Sequence, residues 1–273
     1  MKKKILTIIA VLAAFAVIAA GCGSSSEDTD DTVTITVGAS VTPHAEILEQ
    51  AQPILEEEGI ILEIVEIEDT VTPNTGLLEG SLDANYFQHQ PFLDDFNEEY
   101  GADLVSIGAI HYEPFGIYAG QRSSLDELED GDTIAVPNNT TNEARALLLL
   151  EQEGLITLSD DVDINATILD IVDNPLNLEF VEVAPEQLVN TLPDVAVAII
   201  NGNYAIEGGL SVNDALAVEA DTSIAAQTYA NLVVVRSEDT ENEALLRLVE
   251  VLQSEEIQTW ISETYDGAVV PLS

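Results

Sequence analysis

The sequence predicts an α/β protein built as two lobes. Two observations carry this: runs that alternate as strands are followed by amphipathic helical runs, and that alternation restarts near residue 119. Residues 33–37 (VTITV) alternate as a strand, and 38–40 turn the chain. A helix follows over 43–58, with Pro43 suited to a first turn and Gly59 as the stop. A second strand over 60–67 completes a βαβ unit, which requires parallel strands. A short helix over 74–79 ends at Gly80, and an amphipathic one over 91–100 ends at Gly101. A third strand spans 104–110, its extended run continuing through Tyr112 to Tyr118. The second series has a short helix over 123–128, a strand over 133–136, a polar loop over 137–141 and a strong helix over 142–153. Strands then follow over 166–172, 179–183 and 195–200, with a short helix over 185–192. A strand over 232–235 and helices over 241–254 and 256–263 finish the chain, and no fixed-period repeat is present.

Charge narrows the function. The 273 residues carry 51 acidic side chains against seven basic ones, three of which are Lys2, Lys3 and Lys4. Beyond them only Arg122, Arg145, Arg236 and Arg247 remain, too few for the basic stripe that nucleic acid or anionic lipid demands. A hydrophobic content of 46% argues against disorder and provides for a sizeable core. The start has its own logic. Residues 1–4 are basic, 5–20 are apolar, and small residues lead into Cys22, the single cysteine. Residues 1–21 therefore read as a signal peptide, Cys22 as the acylated residue of a bacterial lipobox, and the acidic stretch up to residue 32 as a tether. An ordinary secretory signal with an incidental cysteine is the alternative. Fatty-acyl chains on Cys22 would anchor the protein to a membrane.

Catalytic signatures are absent. There is no Gly-x-Ser-x-Gly elbow and no phosphate-binding Gly-rich motif, and lysine is missing after residue 4, which removes Schiff-base chemistry. Asp161, Asp163 and Asn165 begin like a calcium loop, but Ala166 and Val172 stand where glycine and a bidentate glutamate are needed. His44, His89 and His111 lack metal-ligand spacing, so neither metal nor cofactor is expected. Two patches stand out instead. Arg145 falls in the first turn of the helix predicted from residue 142, where an arginine fork and free N–H groups would receive a carboxylate; an ion pair with Glu143 or another nearby acid explains it equally well. Asn85-Tyr86-Phe87-Gln88-His89-Gln90-Pro91 concentrates aromatics and amides before a helix, as a loop walling a pocket would.

These patches, with Gly267–Pro271 (GAVVP), Thr42–Leu48 (TPHAEIL) and Ala198–Asn201 (AIIN), resemble the signatures of the methionine-binding lipoproteins of the NlpA/MetQ family over nearly the whole mature chain. The resemblance implies a type II periplasmic-binding-protein fold with a ligand cleft between lobes, residues 33–118 plus 232–273 forming one lobe and 119–231 the other. It implies a monomeric, non-enzymatic solute-binding protein that is lipid-anchored on the outer face of the bacterial cytoplasmic membrane and delivers methionine to an ABC permease. Arg145, with Asn142, would hold the α-carboxylate. Asn201 would bond the head group, Tyr86, Phe87 and His89 would line the side-chain pocket, and Glu113 would balance the ammonium. Thr70 stands where many family members have an aromatic, which leaves another small amino acid, or a metal ion, as the alternative ligand.

Overall fold

The computed structural model describes residues 32–162, 164–219 and 228–272. The signal, Cys22 and nearly all of the tether lie outside the described residues, as does Asp163. No helix among the described residues is long and apolar enough to cross a membrane.

The strands are β1 (Val33–Ala39), β2 (Ile60–Glu66), β3 (Ala84–His89), β4 (Leu104–Tyr112), β5 (Gly116–Ala119), β6 (Thr133–Pro137), β7 (Thr157–Leu158), β8 (Ile171–Asp173), β9 (Glu179–Val183), β10 (Val197–Ile200), β11 (Ala217–Val218), β12 (Asn231–Arg236) and β13 (Val270–Pro271). Six of them form one sheet in the order β13-β4-β12-β3-β1-β2, and five form a second in the order β11-β5-β10-β6-β9. In the first sheet β1 runs parallel to β2 and β3, while β12 lies antiparallel between β3 and β4. In the second, β6 is parallel to β9 and β10, and β5 is antiparallel to β10. Chain order explains the pairing: β12, near the end of the sequence, inserts into the middle of the first sheet, so the chain leaves that sheet after β4 and returns to it.

Both sheets are covered on both faces. Along β12, Val233 and Val235 enter one core with α1 (Glu46–Glu57) and the C-terminal helices Glu243–Leu252 and Glu255–Tyr265. Leu232 and Val234 enter the opposite core beside α2 (Thr72–Glu79) and α3 (Gln90–Tyr100). β10 behaves alike: Val197 and Ile199 pack on α4 (Thr140–Gln152), while Ala198 and Ile200 face α5 (Leu188–Thr191) and α6 (Gly202–Glu207). Successive residues of a strand point to opposite faces, so strands buried on both sides need continuous apolar runs.

Several expectations shift. Residues 85–89 are strand β3 rather than loop; α3 begins at Gln90 and ends at Gly101, whose φ of +62° suits glycine. The extended run after β4 breaks at Glu113, and β5 pairs within the second sheet, so the expected boundary at 118/119 falls inside a strand. The run 166–172 is not one strand: a 3-10 turn at Ile168–Asp170 leads into the short β8, which takes only the run's last two residues. Helix α4 starts at Thr140, two residues early, which moves Arg145 into its second turn.

Candidate functional site

The carboxyl ends of β3 and β10, the segment after β4, the start of α4 and the start of β12 converge on one cavity. Ligands of open α/β sheets lie beyond the carboxyl ends of strands, and this cavity does so. Phe87, His89, Glu113, Asn142, Arg145 and Asn201 all line it. Tyr86 does not: it is fully buried in the core of the first sheet, because alternation along β3 turns its ring toward His44 and His111. Phe92, Asn203, Tyr204 and Asn231, which the sequence reading passed over, complete much of the wall, and Thr70 is part of it. Phe92 directly follows the aromatic-amide patch and Tyr204 lies three residues after Asn201, so adjacency was the signal available for both.

Arg145 is buried, 4% exposed, and its partner is neither Glu143 nor any neighbour in sequence. Its Nε donates to Glu219 Oε1 at 3.0 Å and Oε2 at 3.1 Å, and its terminal nitrogen donates to Glu219 Oε2 at 2.6 Å and to the Glu113 carbonyl at 2.9 Å. The guanidinium carbon also sits 4.3 Å from the Tyr229 ring centroid and 4.7 Å from that of Phe115. Burial pushes the Glu219 carboxyl up, but the Arg145 charge, its hydrogen bonds and the Tyr112 hydroxyl outweigh this and hold it below the usual range. The arginine is thus a clamped fork. Glu143 instead accepts the Ile168 N–H at 3.0 Å.

Three asparagines are oriented by their partners. Asn142 Oδ1 accepts from His89 Nε2 at 3.1 Å and from Asn201 Nδ2 at 3.0 Å. That leaves Asn201 Oδ1 buried and, among the described residues, without a hydrogen-bond partner, as an acceptor in the cavity wall. Asn231 Oδ1 bonds His44 Nε2 at 2.9 Å, so Asn231 has its amide nitrogen to offer the cavity. His89 Nδ1 accepts from the Phe92 N–H at 3.3 Å, which makes Nε2 the protonated nitrogen. Burial above all lowers its pKa to about 4, with the charge of Arg145 acting in the same direction, so the ring is neutral at pH 7.

Glu113 closes one end. It is 5% exposed; its Oε1 lies 2.7 Å from His111 Nε2, and the Asn203 N–H donates to it. A Cβ on Gly202 would meet Glu113 Cβ at 2.7 Å and Oε2 at 3.1 Å, so only glycine lets α6 begin against this side chain. His44, His111 and Glu113 bring potential ligand atoms within 4.8 Å of one another. Both histidine Nε2 atoms have oxygen partners, while His44 Nδ1 is buried without a hydrogen-bond partner among the described residues. Hydrogen bonds also tie the two sheets' surroundings together across the cleft: His89 to Asn142, and the Tyr204 hydroxyl to the Glu68 carbonyl at 3.3 Å.

Two α/β lobes meeting at a cavity rich in oriented donors and acceptors define a substrate-binding protein of the type II periplasmic architecture, and the comparisons agree. The NlpA lipoprotein family model matches residues 35–273, and the chain belongs to that family. It is 41% identical to the methionine-binding lipoprotein MetQ of Bacillus subtilis, with all of both chains covered. Among solved structures, a nutrient binding protein from Burkholderia cenocepacia bound to methionine is 39% identical with a TM-score of 0.83, covering 88% of this chain and all of the other. An ABC transporter periplasmic substrate-binding protein from Coxiella burnetii is 40% identical with a TM-score of 0.82, covering 87% of this chain and all of the other.

Proposed function

We propose that this protein captures methionine in the cleft and delivers it to an ABC permease, acting without catalysis as a monomer held to the outer face of the cytoplasmic membrane through acylated Cys22. The supporting observation is the lining of the cavity. The wall carries Arg145, Asn231, Asn201 and Glu113, a donor and acceptor set matched to a carboxylate and an ammonium, and also Phe87, Phe92 and Tyr204, rings suited to an unbranched apolar tail. In this reading a guanidinium nitrogen beyond the edge taken by Glu219 meets the carboxylate, assisted by Asn231 and Asn142. Glu113 and Asn201 Oδ1 take the ammonium, and the thioether lies against the rings, where sulfur–aromatic contacts contribute about 0.3–1.5 kcal/mol each. His89 acts through Asn142, whose amide it orients.

A ligand at 100 times its Kd stabilises the native state by about 2.7 kcal/mol. Methionine, as the L or D form, is therefore expected to raise the melting temperature clearly, and native mass spectrometry is expected to find methionine copurifying. A second reading, another small amino acid, is favoured by Thr70, which leaves more room in the wall than an aromatic would; a panel of amino acids separates the two. Stabilisation by zinc or manganese with no response to any amino acid would overturn both.

A further inference from the structure

Behind the cavity lies a directed chain of hydrogen bonds that the ligand contacts do not explain. The Tyr86 hydroxyl bonds His111 Nδ1, and His111 Nε2 bonds Glu113 Oε1. Tyr86 and His111 are both 0% exposed. Two proton arrangements fit these contacts. In one, the phenol donates to Nδ1 and Nε2–H donates to an ionised Glu113. In the other, Nδ1–H donates to the phenol oxygen and a protonated Glu113 donates to Nε2. The second leaves the phenol proton buried with no recorded acceptor among the described residues, whereas the first pairs every proton. An unpaired buried donor is costly, so the first arrangement wins.

We propose that Tyr86 and His111 are positioning residues that keep Glu113 ionised and aimed into the cleft, so that the site accepts a free cationic amine and rejects neutral or N-acylated ligands. The inference rests on the methionine reading above. Several groups face Glu113: His44 from the turn before α1, His111 from β4, Arg145 from α4, the Asn203 N–H from α6, and the phenols of Tyr86, Tyr204 and Tyr265. Burial raises the Glu113 carboxyl above the usual carboxylate range and the Asn203 N–H and Arg145 oppose this only in part, so the ionised form rests on the proton order of the chain. Burial likewise lowers His44 to about 4 and His111 to about 3, so neither supplies a cation at neutral pH. The selectivity must then come from a carboxylate whose charge is preserved by hydrogen bonding.

The test is calorimetric titration with L-methionine and N-acetyl-L-methionine from pH 5.5 to 8.5, on the wild type, Y86F, H111Q and E113Q. The wild type is expected to bind methionine with nearly constant affinity and to leave the acetylated compound unbound. E113Q is expected to lose at least tenfold throughout. Y86F, in which both proton orders strand one group, is expected to match the wild type at pH 8.5 and to fall about tenfold by pH 5.5, the scale of one buried unpaired proton. H111Q, which offers both an acceptor and a donor, is expected to restore the flat profile. A Y86F profile parallel to the wild type, a pH-independent loss in Y86F, or unchanged binding by E113Q overturns the inference while leaving methionine binding intact. A wild type that binds no amino acid overturns the functional reading itself. Should Y86F not fold, the wild type decides alone: titrations at pH 6.5 in buffers of different ionisation heat are expected to show almost no proton exchange, and release approaching one proton refutes the chain.

Discussion

Removing the guanidinium of Arg145 should damage the protein in two separable ways. The side chain is 4% exposed and Glu219 13%, and three hydrogen bonds join them, so Arg145→Ala strands a buried carboxylate. Breaking one side of such a pair costs about 3–5 kcal/mol. At roughly 2–4 °C per kcal/mol for a chain of this size, the melting temperature should fall by about 10 °C. Affinity for methionine should fall at least tenfold, since removing one partner of a desolvated charge pair costs about 2–5 kcal/mol. The double variant R145M/E219Q separates the effects. With both charges gone and similar volumes retained, stability should return to near the wild type, because neutral replacement of a buried pair is often benign. Binding should stay lost. Urea unfolding and calorimetric titration of both variants check this. Full binding by the double variant would remove Arg145 from the site, and a single variant as stable as the wild type would refute the account of Glu219.

The three histidines should all remain neutral between pH 7.5 and 5, because burial holds His44 and His89 near 4 and His111 near 3. Unfolded histidines protonate near 6.5, so unfolding takes up protons in this window and this contribution to stability is lost as pH falls from about 6.5 toward 4. Proton NMR of the imidazoles checks it, and any native midpoint near 6.5 contradicts it. Gly202→Ala should weaken methionine binding about tenfold or more by forcing Glu113 aside, and titration giving wild-type affinity would contradict that. With 51 acids against seven basic residues, stability should rise from 0.1 M to 2 M potassium chloride as self-repulsion is screened; calorimetry showing equal stability in both would count against it.

Much of the architecture could be read from local pattern. The apolar runs of β10 and β12 announce strands covered on both faces, and Gly59, Gly80, Gly101 and Gly154, all at positive φ, follow the helices as expected. The misreading of β3 as a loop has a definite cause. Asn85 and Gln88 looked too polar for a buried strand, yet Asn74 on α2 bonds both: Asn74 Oδ1 accepts from Asn85 at 2.8 Å and from Gln88 at 2.6 Å. A partner eleven or fourteen residues away satisfies the amides, and periodicity does not report it. The same limit hid Glu219, which lies 74 residues from Arg145, and Asn231, which reaches the cleft only because β12 returns to the first sheet. Cavity residues adjacent to a motif were within reach of sequence reasoning; those delivered by chain return were not.

Glu113 lies on the short stretch joining β4 of the first sheet to β5 of the second. The His111 hydrogen bond ties its carboxylate to the first sheet and the Asn203 N–H ties it to the helix after β10, so a swing of one half against the other would have to break one of the two. Opening the cleft would then dismantle the amine end of the pocket in the same movement, and release of cargo would need no separate trigger.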